Sequence, residues 1–245
     1  MIPLILERVI LSANSPQLQH VLHTLEATIS NSKVSNSKEA AGMIRYMEIP
    51  DDDINSDTLA RFLPFTSKLS SLVYGYVIQE ERYSIDIIDA QALGRLLAPV
   101  RHSLTHLKIT YYPGTNETSS GGYPYVKGYC CLKDMAALQR LEVCFCVLLG
   151  TSPRTAPKLA DVLPPNIVQL RIMPDPWERD PSQWKPECKF RVFEKFVSGR
   201  NWEQFTPRLK ALNFHIDEHR YGWSKEKIAA KETVLIGLCR ENDLE

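Results

Sequence analysis

The sequence predicts an α/β protein in which one parallel sheet is built strand by strand and backed by helices. Three observations predict it. A six-residue pattern recurs, with an aliphatic residue, two others, an aliphatic residue, one other and a third apolar residue. It reads Ile44-Arg-Tyr-Met47-Glu-Ile49, Leu69-Ser-Ser-Leu72-Val-Tyr74, Leu104-Thr-His-Leu107-Lys-Ile109, Leu138-Gln-Arg-Leu141-Glu-Val143, Ile167-Val-Gln-Leu170-Arg-Ile172 and Leu209-Lys-Ala-Leu212-Asn-Phe214. Between the hexads lie segments with apolar residues at helical spacing. The chain of 245 residues is 44% hydrophobic and 24% charged, which supplies a core without any disulfide or metal.

Each hexad predicts a strand. Side chains alternate across a strand, so Leu107 and Ile109 share one face while Lys108 points the other way. The same holds for Leu141 and Val143 around Glu142, and for Leu170 and Ile172 around Arg171. The residue that opens each hexad sits three positions earlier, where the chain turns into the strand. A weaker copy is Leu6-Glu-Arg-Val9-Ile-Leu11. The six clear copies start 25, 35, 34, 29 and 42 residues apart, so the connections vary in length.

The connections read mostly as helices. Ser15 is a candidate N-cap, with Pro16 at the first helical position and Leu18, Val21, Leu22, Leu25 and Ile29 following at helical spacing. Ser56 is placed to cap a short helix carrying Leu59, Phe62 and Leu63. Asp86 precedes a stripe of Ile88, Ala92, Leu96 and Val100. Phe190, Phe193 and Val197 line a helix expected to end near Gly199. Ser224 opens a last helix with Ile228, Leu235 and Leu238. An amphipathic helix cannot bury its stripe alone, and stacking such units side by side buries a continuous core. The chain is therefore read as one domain over residues 1–245. Residues 1–40 form an N-terminal capping region, 41–222 the repeats and 223–245 a C-terminal capping helix. Three segments interrupt the rhythm: the polar run 30–39, the Gly- and Tyr-rich run 113–131, and the Pro- and Trp-rich run 174–188.

At this point the chain resembles the leucine-rich-repeat family. Leu138-x-x-Leu141-x-Val143-x-x-Cys146-x-Leu148 matches the eleven-position consensus of that family in full. The resemblance implies a short, irregular solenoid with a parallel sheet on its concave face and helices on its convex face. It also implies that Cys146 occupies the turn position that bonds backbone groups. Asp52, Asp175 and Asp217 hold the same place in three other units, and Val77 and Tyr112 hold it in the remaining two. The segments Leu97-Ala-Pro-Val-Arg-His-Ser-Leu-Thr-His-Leu107, Leu138-Gln-Arg-Leu141 and Leu163-Pro-Pro-Asn-Ile-Val-Gln-Leu170 resemble the C-terminal repeat regions of fungal F-box-type proteins, over roughly residues 40–216. That likeness implies the substrate-recognition part of a cullin-type ubiquitin ligase. No F-box is recognised ahead of the repeats, so the linker subunit of such a ligase would join only through an F-box outside this chain.

Charge and composition exclude several classes. Twenty-nine basic and 29 acidic residues leave a formal net charge of zero, so no whole-protein field draws the chain to nucleic acid or to an anionic membrane. No apolar run approaches the ~20 residues of a membrane helix; Val143 to Leu149 is the longest candidate. The apolar start at Met1 to Leu6 lacks a basic region and a cleavage site, so no secretory signal is read there. The six cysteines are too sparse for a disulfide scaffold and fit reduced thiols in cytoplasm or nucleus. The sequon Asn116-Glu-Thr118 then carries no meaning.

No catalytic, metal or cofactor site is read. His20 and His23, and His215 and His219, have ligand-like spacing, but His215 lacks the following Glu of a zinc protease. Cys130, Cys131, Cys144 and Cys146 run CC and CxC rather than in paired CxxC knuckles. Asp51-Asp52-Asp53 lacks the Gly and Glu that a calcium loop requires. There is no phosphate-binding Gly loop and no nucleophile elbow.

The expected function is therefore protein binding. Residues of the strands that point away from the core fall into columns, one running Glu48, Val73, Lys108, Glu142, Arg171, Asn213 and its neighbour Tyr46, Ser71, His106, Arg140, Gln169, Ala211. A third runs Pro50, Gly75, Thr110, Cys144, Met173, His215. From these, Glu48, His106, Lys108, Arg140, Glu142, Gln169, Arg171 and Asn213 are the expected partner-binding residues of the sheet face. Tyr123 and Tyr125, with Trp177 and Trp184, are the expected loop contacts, because Tyr and Trp supply large contact area with a polar tip. An α/β enzyme with an unrecognised site and a degenerate repeat protein without a partner are the alternatives.

Overall fold

The fold is described from a computed structural model over residues 8–10, 44–52, 59–60, 62–77, 87–112, 125–174, 184–198, 201–214, 224–242 and 244. Its centre is an open sheet of seven strands: β1 (Arg8–Ile10), β2 (Tyr46–Asp52), β3 (Ser71–Val77), β5 (His106–Tyr112), β7 (Arg140–Cys144), β8 (Gln169–Met173) and β9 (Ala211–Phe214). Every neighbouring pair is parallel and the strands lie in sequence order. Two further short strands, β4 (Ile87–Asp89) and β6 (Tyr125–Lys127), pair with each other in a separate parallel ribbon.

The register follows the hexads. Met47 pairs with Leu72, Leu72 with Leu107, Leu107 with Leu141, Leu141 with Leu170 and Leu170 with Leu212. Val9 extends the row to β1, so the weaker copy at the start of the chain also supplies a strand. Met47, Leu72, Leu107, Leu141 and Leu170 are all buried. A one-residue slip in any strand would turn this row to solvent, which is why the register is fixed.

A repeated hydrogen-bond corner sets the entry to β3, β5, β7, β8 and β9. The carbonyl of the residue just after the hexad's first position accepts two successive N–H groups from the next unit. Arg45 O takes Ser70 and Ser71, Ser70 O takes Thr105 and His106, and Thr105 O takes Gln139 and Arg140. Gln139 O takes Val168 and Gln169, and Val168 O takes Lys210 and Ala211. The approach to each corner is a run of tight turns that buries every third residue or nearly so. Leu63, Thr66 and Leu69 are buried, as are Leu132, Met135 and Leu138. Thr66 and Thr206 fit this apolar run because each hydroxyl donates to a carbonyl one turn back, at Leu63 and Trp202, 3.0 Å away in both cases. A buried hydroxyl without such an acceptor would cost about 1–3 kcal/mol.

The helical layer is partly as the spacing predicts. The described helices are α1 (Ala90–Leu96), α2 (Phe145–Leu149), α3 (Leu159–Val162), α4 (Pro186–Val197), α5 (Asn201–Phe205) and α6 (Lys225–Glu241). α4 carries Phe190, Phe193 and Val197 inward and ends at Ser198, as expected. α6 opens on Ser224, whose hydroxyl accepts from the Lys227 N–H. It docks on α4 through Ile228, Leu235 and Cys239, with Lys227–Glu187 and Lys231–Glu194 ion pairs at 3.1 and 3.3 Å. These pairs are solvent-accessible, so the apolar contact holds the helix. The helix expected over residues 15–29 and most of the region read as an N-terminal cap lie outside the described residues.

Four expectations are corrected. Ile88 lies in β4 rather than in a helix, and α1 starts later with Asp89 as its cap: the Asp89 carboxylate accepts from the Ala92 N–H at 2.7 Å. Pro50 does not join its column, since β2 and β3 slip out of register between Ile49 and Asp52, where proline has no N–H to offer. Cys146 does not sit in a turn after an extended strand. β7 stops at Cys144, and Cys146 is buried in α2, a helix whose five residues are all inside the core. Trp184 is not a surface loop contact. It is 3% exposed, its indole donates to Gly150 O at 2.6 Å, and its ring meets Phe145 edge-on at 4.5 Å. Burial of a large ring with its N–H satisfied outweighs any gain from leaving it in water.

Gly150 is required where it stands. Its φ is +81°, and a Cβ there would lie 2.9 Å from Gly128 O. Gly150→Ala is expected to cost about 1 kcal/mol or more in urea unfolding, because the backbone conformation is closed to alanine. Leu141→Ala, at a fully buried site in the central row, is expected to cost about 2–5 kcal/mol. Ile236→Ala, on the exposed side of α6, is expected to change stability by less than about 0.5 kcal/mol. A Leu141→Ala loss as small as that of Ile236→Ala would contradict the assigned core.

Candidate partner-binding face

The sheet has one buried face and one that is half-buried to exposed, and the second carries the polar columns. In the pairing, Glu48, Val73, Lys108, Glu142, Arg171 and Asn213 are successive register partners. So are Tyr46, Ser71, His106, Arg140, Gln169 and Ala211. All eight residues expected on the sheet face are thus brought into two adjacent rows. Arg140, Arg171 and Asn213 are exposed, and Glu48, His106, Lys108, Glu142 and Gln169 are half-buried. The third column holds only in part: Gly75 pairs with Thr110 and Cys144 with Met173, while His215 lies outside the described residues.

These side chains form a connected row rather than separate charges. The Tyr46 hydroxyl donates to Glu48 Oε2 at 2.6 Å. From the next strand, Ser71 Oγ lies 3.2 Å from His106 Nδ1. His106 Nε2 lies 3.5 Å from Glu142 Oε1, and Arg171 reaches the other oxygen of Glu142 at 3.6 Å. Ser71, His106, Glu142 and Arg171 therefore link four successive strands, β3, β5, β7 and β8. Tyr46 and Ser71 are members of the columns that were not singled out as contacts. Their signal in the sequence was the register itself, which sets each beside a polar neighbour.

His106 is the electrostatic pivot. Burial disfavours its charged form and is the largest influence, Glu142 favours that form, and Arg140 and Lys108 oppose it, with the net result below the ordinary 6.5. The ring is neutral near pH 7. Nε2 then faces Glu142, while Nδ1 faces the Ser71 hydroxyl. The Nε2–Glu142 approach is within ion-pair range but is not aligned as a hydrogen bond, so Nε2 is buried with no hydrogen-bond partner among the described residues. Glu142 gains its compensation from Arg171 on one side and the imidazole on the other.

The loop contacts expected from the sequence do not gather here. Tyr123 and Trp177 lie outside the described residues. Tyr125 is a strand residue of β6, away from the main sheet. Tyr129, nearby, is 42% exposed. A cleft of about 450 Å³ lies among the helices, walled by Pro157, Leu159, Trp184, Phe196, Trp202 and Phe205. Trp202 and Phe205 were not singled out, because the helix α5 that carries them is too short to show a periodic stripe. Cys130 is fully buried and its thiol is pushed up to about 12 by that burial, so it offers no thiolate near neutral pH. Among the described residues no helix is long and apolar enough to cross a membrane.

Scanned against models of protein families and searched against curated proteins, the chain matches none. The fold and this face define the class: an α/β protein with an open, parallel, sequentially ordered sheet.

The depressed His106 titration has a signed consequence. The unfolded chain takes up its proton near pH 6.5 and the folded chain only at lower pH, so below 6.5 folding is opposed by this group. The stability advantage of wild type over His106→Gln should shrink as pH falls from 7.5 to 5.5, measured as urea midpoints in parallel. An advantage that grows over that interval would mean that Glu142 dominates the site instead.

Proposed function

We propose that this protein is a non-catalytic protein-interaction module, built as a short, irregular leucine-rich-repeat solenoid that holds its partner on the sheet face. The observation that carries the reading is the alignment of two polar rows, register partner by register partner, on one open face of a parallel sheet. Repeats that stack in one direction generate extended surfaces of this kind, on which side chains vary without disturbing the core. Mixed charge on such a face gives selectivity and orientation more than raw affinity. The resemblance to F-box-type repeat regions extends the proposal to substrate recognition for a ubiquitin ligase in cytoplasm or nucleus.

A second reading is weighed because of one constellation. Ser71, His106 and Glu142 are in line, as a serine hydrolase requires. Three features argue against it. The imidazole presents Nδ1 to the serine and Nε2 to the acid, the reverse of the hydrolytic order. Glu142 is shared with Arg171. Ser71 lies in a strand flanked on both sides, and its own N–H is bonded to Arg45 O, so it cannot help build an oxyanion hole.

Reversing Lys108, Glu142 and Arg171 together (Lys108→Glu, Glu142→Lys, Arg171→Glu) should replace most of the partners recovered by proximity labelling, with folding checked by circular dichroism. An unchanged set of partners would remove the sheet face as the site. Labelling of Ser71 by a fluorophosphonate probe would favour the hydrolase reading over this one.

A further inference from the structure

The charges on the sheet face are not evenly mixed. Lys108, Arg140 and Arg171 stand on three consecutive strands, β5, β7 and β8, around a single carboxylate, Glu142. That carboxylate is 15% exposed and is already engaged by Arg171 and His106. Among the described residues neither Lys108 nor Arg140 has a carboxylate within ion-pair reach. Burial is the largest cause of the lowered His106 titration, and Arg140 and Lys108 add to it as smaller ones. The flanks are neutral: Ser71 and Val73 on β3, Gln169 on β8, and Ala211 and Asn213 on β9. The next acid, Glu48 on β2, is held by the Tyr46 hydroxyl. In a chain of zero formal charge this is, among the described residues, a local excess of about two positive charges, on the part of the face where the polar row is most tightly tied.

We propose that this part of the face takes an acidic segment of a protein partner, with carboxylates spaced to meet Lys108 and Arg171 across β7. The proposal rests on the reading of the sheet face as the partner surface and adds the partner's chemistry. Neighbouring strands are about 4.8 Å apart, so Lys108 and Arg171 are separated by about 10 Å. In a segment with polyproline-II geometry, three residues per turn at about 3.1 Å each, carboxylates at positions i and i+3 lie on one side about 9 Å apart and match that spacing, and Arg140 offers a further cation toward the start of β7. Arg171 is pre-positioned by Glu142, which lowers the entropy lost when a second carboxylate arrives. A guanidinium can serve both carboxylates through different N–H groups. The same Glu142 disfavours a nucleic acid strand. A backbone that carries a negative charge on every nucleotide brings charge against that carboxylate, whereas a peptide with spaced acids can avoid it.

Fluorescence anisotropy with labelled twelve-residue peptides tests this on the full chain. One peptide carries Glu at every third position with Gly and Ser between, a second carries Gln at those positions and a third Lys; a twelve-nucleotide single-stranded DNA is the fourth probe. The Glu peptide should bind at least tenfold more tightly than the Gln peptide, and binding should weaken as salt rises from 50 to 300 mM. Lys108→Glu with Arg171→Glu should abolish it. Lys108→Gln with Arg171→Gln should weaken it at least fivefold and serves if the reversal unfolds the chain. Arg95→Glu with Arg101→Glu, elsewhere on the surface, should leave it unchanged. Equal binding of the Glu and Gln peptides, tighter binding of the DNA, or indifference to the Lys108 and Arg171 changes would overturn the proposal. A photo-crosslinker at position 213 separates the two levels. Capture there of a partner without an acidic segment would overturn the acidic class and leave the face as an interaction surface. Capture of partners only from crosslinkers placed on the helical side would overturn both.

Discussion

The structure depends on one repeated constraint, the sharing of a single carbonyl by two N–H groups at the entrances to β3, β5, β7, β8 and β9. Arg45, Ser70, Thr105, Gln139 and Val168 each present that carbonyl to the next unit. The bond pair fixes both the position and the direction in which the following strand begins. Strands that all begin at the same place and run the same way must be parallel and in register. The leucine row and the polar rows are consequences of that start, because side chains alternate from it without further choice. Hydrophobic burial then stabilises what the corner has aligned: Leu72, Leu107, Leu141 and Leu170 lie almost wholly out of water in one line.

The two faces of each strand divide the tasks. The inner face is closed by apolar residues and the Tyr74 ring, and its substitution costs stability. The other face is tied by weak polar links, Ser71 to His106, His106 to Glu142 and Glu142 to Arg171, each partly hydrated and each worth little alone. Such links do not hold the fold. They hold the side chains in place, so that a partner would meet a formed pattern of charge rather than a set of free rotors. Changing that pattern should leave the core untouched, and the strand face can therefore vary independently of the architecture.

Much of the sheet was legible in the sequence because a hexad states its own register. Lys108, Glu142 and Arg171 could be set side by side from spacing alone, since each occupies the fifth position of its copy. Even Val9, in the faintest copy, pairs where the spacing places it. The tight-turn runs were less visible, although Leu63-x-x-Thr66-x-x-Leu69 and Leu132-x-x-Met135-x-x-Leu138 repeat every three residues. That period is neither helical nor extended, and Thr66 hides its burial behind a polar side chain. The connections were misread where a local rule was overridden by packing. Cys146 fits a turn consensus, yet Phe145 to Leu149 are all apolar, and the core between α4 and the sheet takes the whole segment as a helix. Trp184 fits a recognition loop by composition, but the nearby Gly150 leaves a carbonyl that only a buried donor can reach. The links of the polar face were legible as neighbours and not as bonds, because rotamers decide which neighbours touch.

The most direct test of the register is the titration of the His106 imidazole, followed by NMR in wild type, Glu142→Gln and Lys108→Gln. If β5 and β7 are paired as described, the wild-type pKa lies below 6.5, Glu142→Gln lowers it further and Lys108→Gln raises it. A value that neither substitution moves would mean that these residues do not share a face and that the aligned rows do not exist.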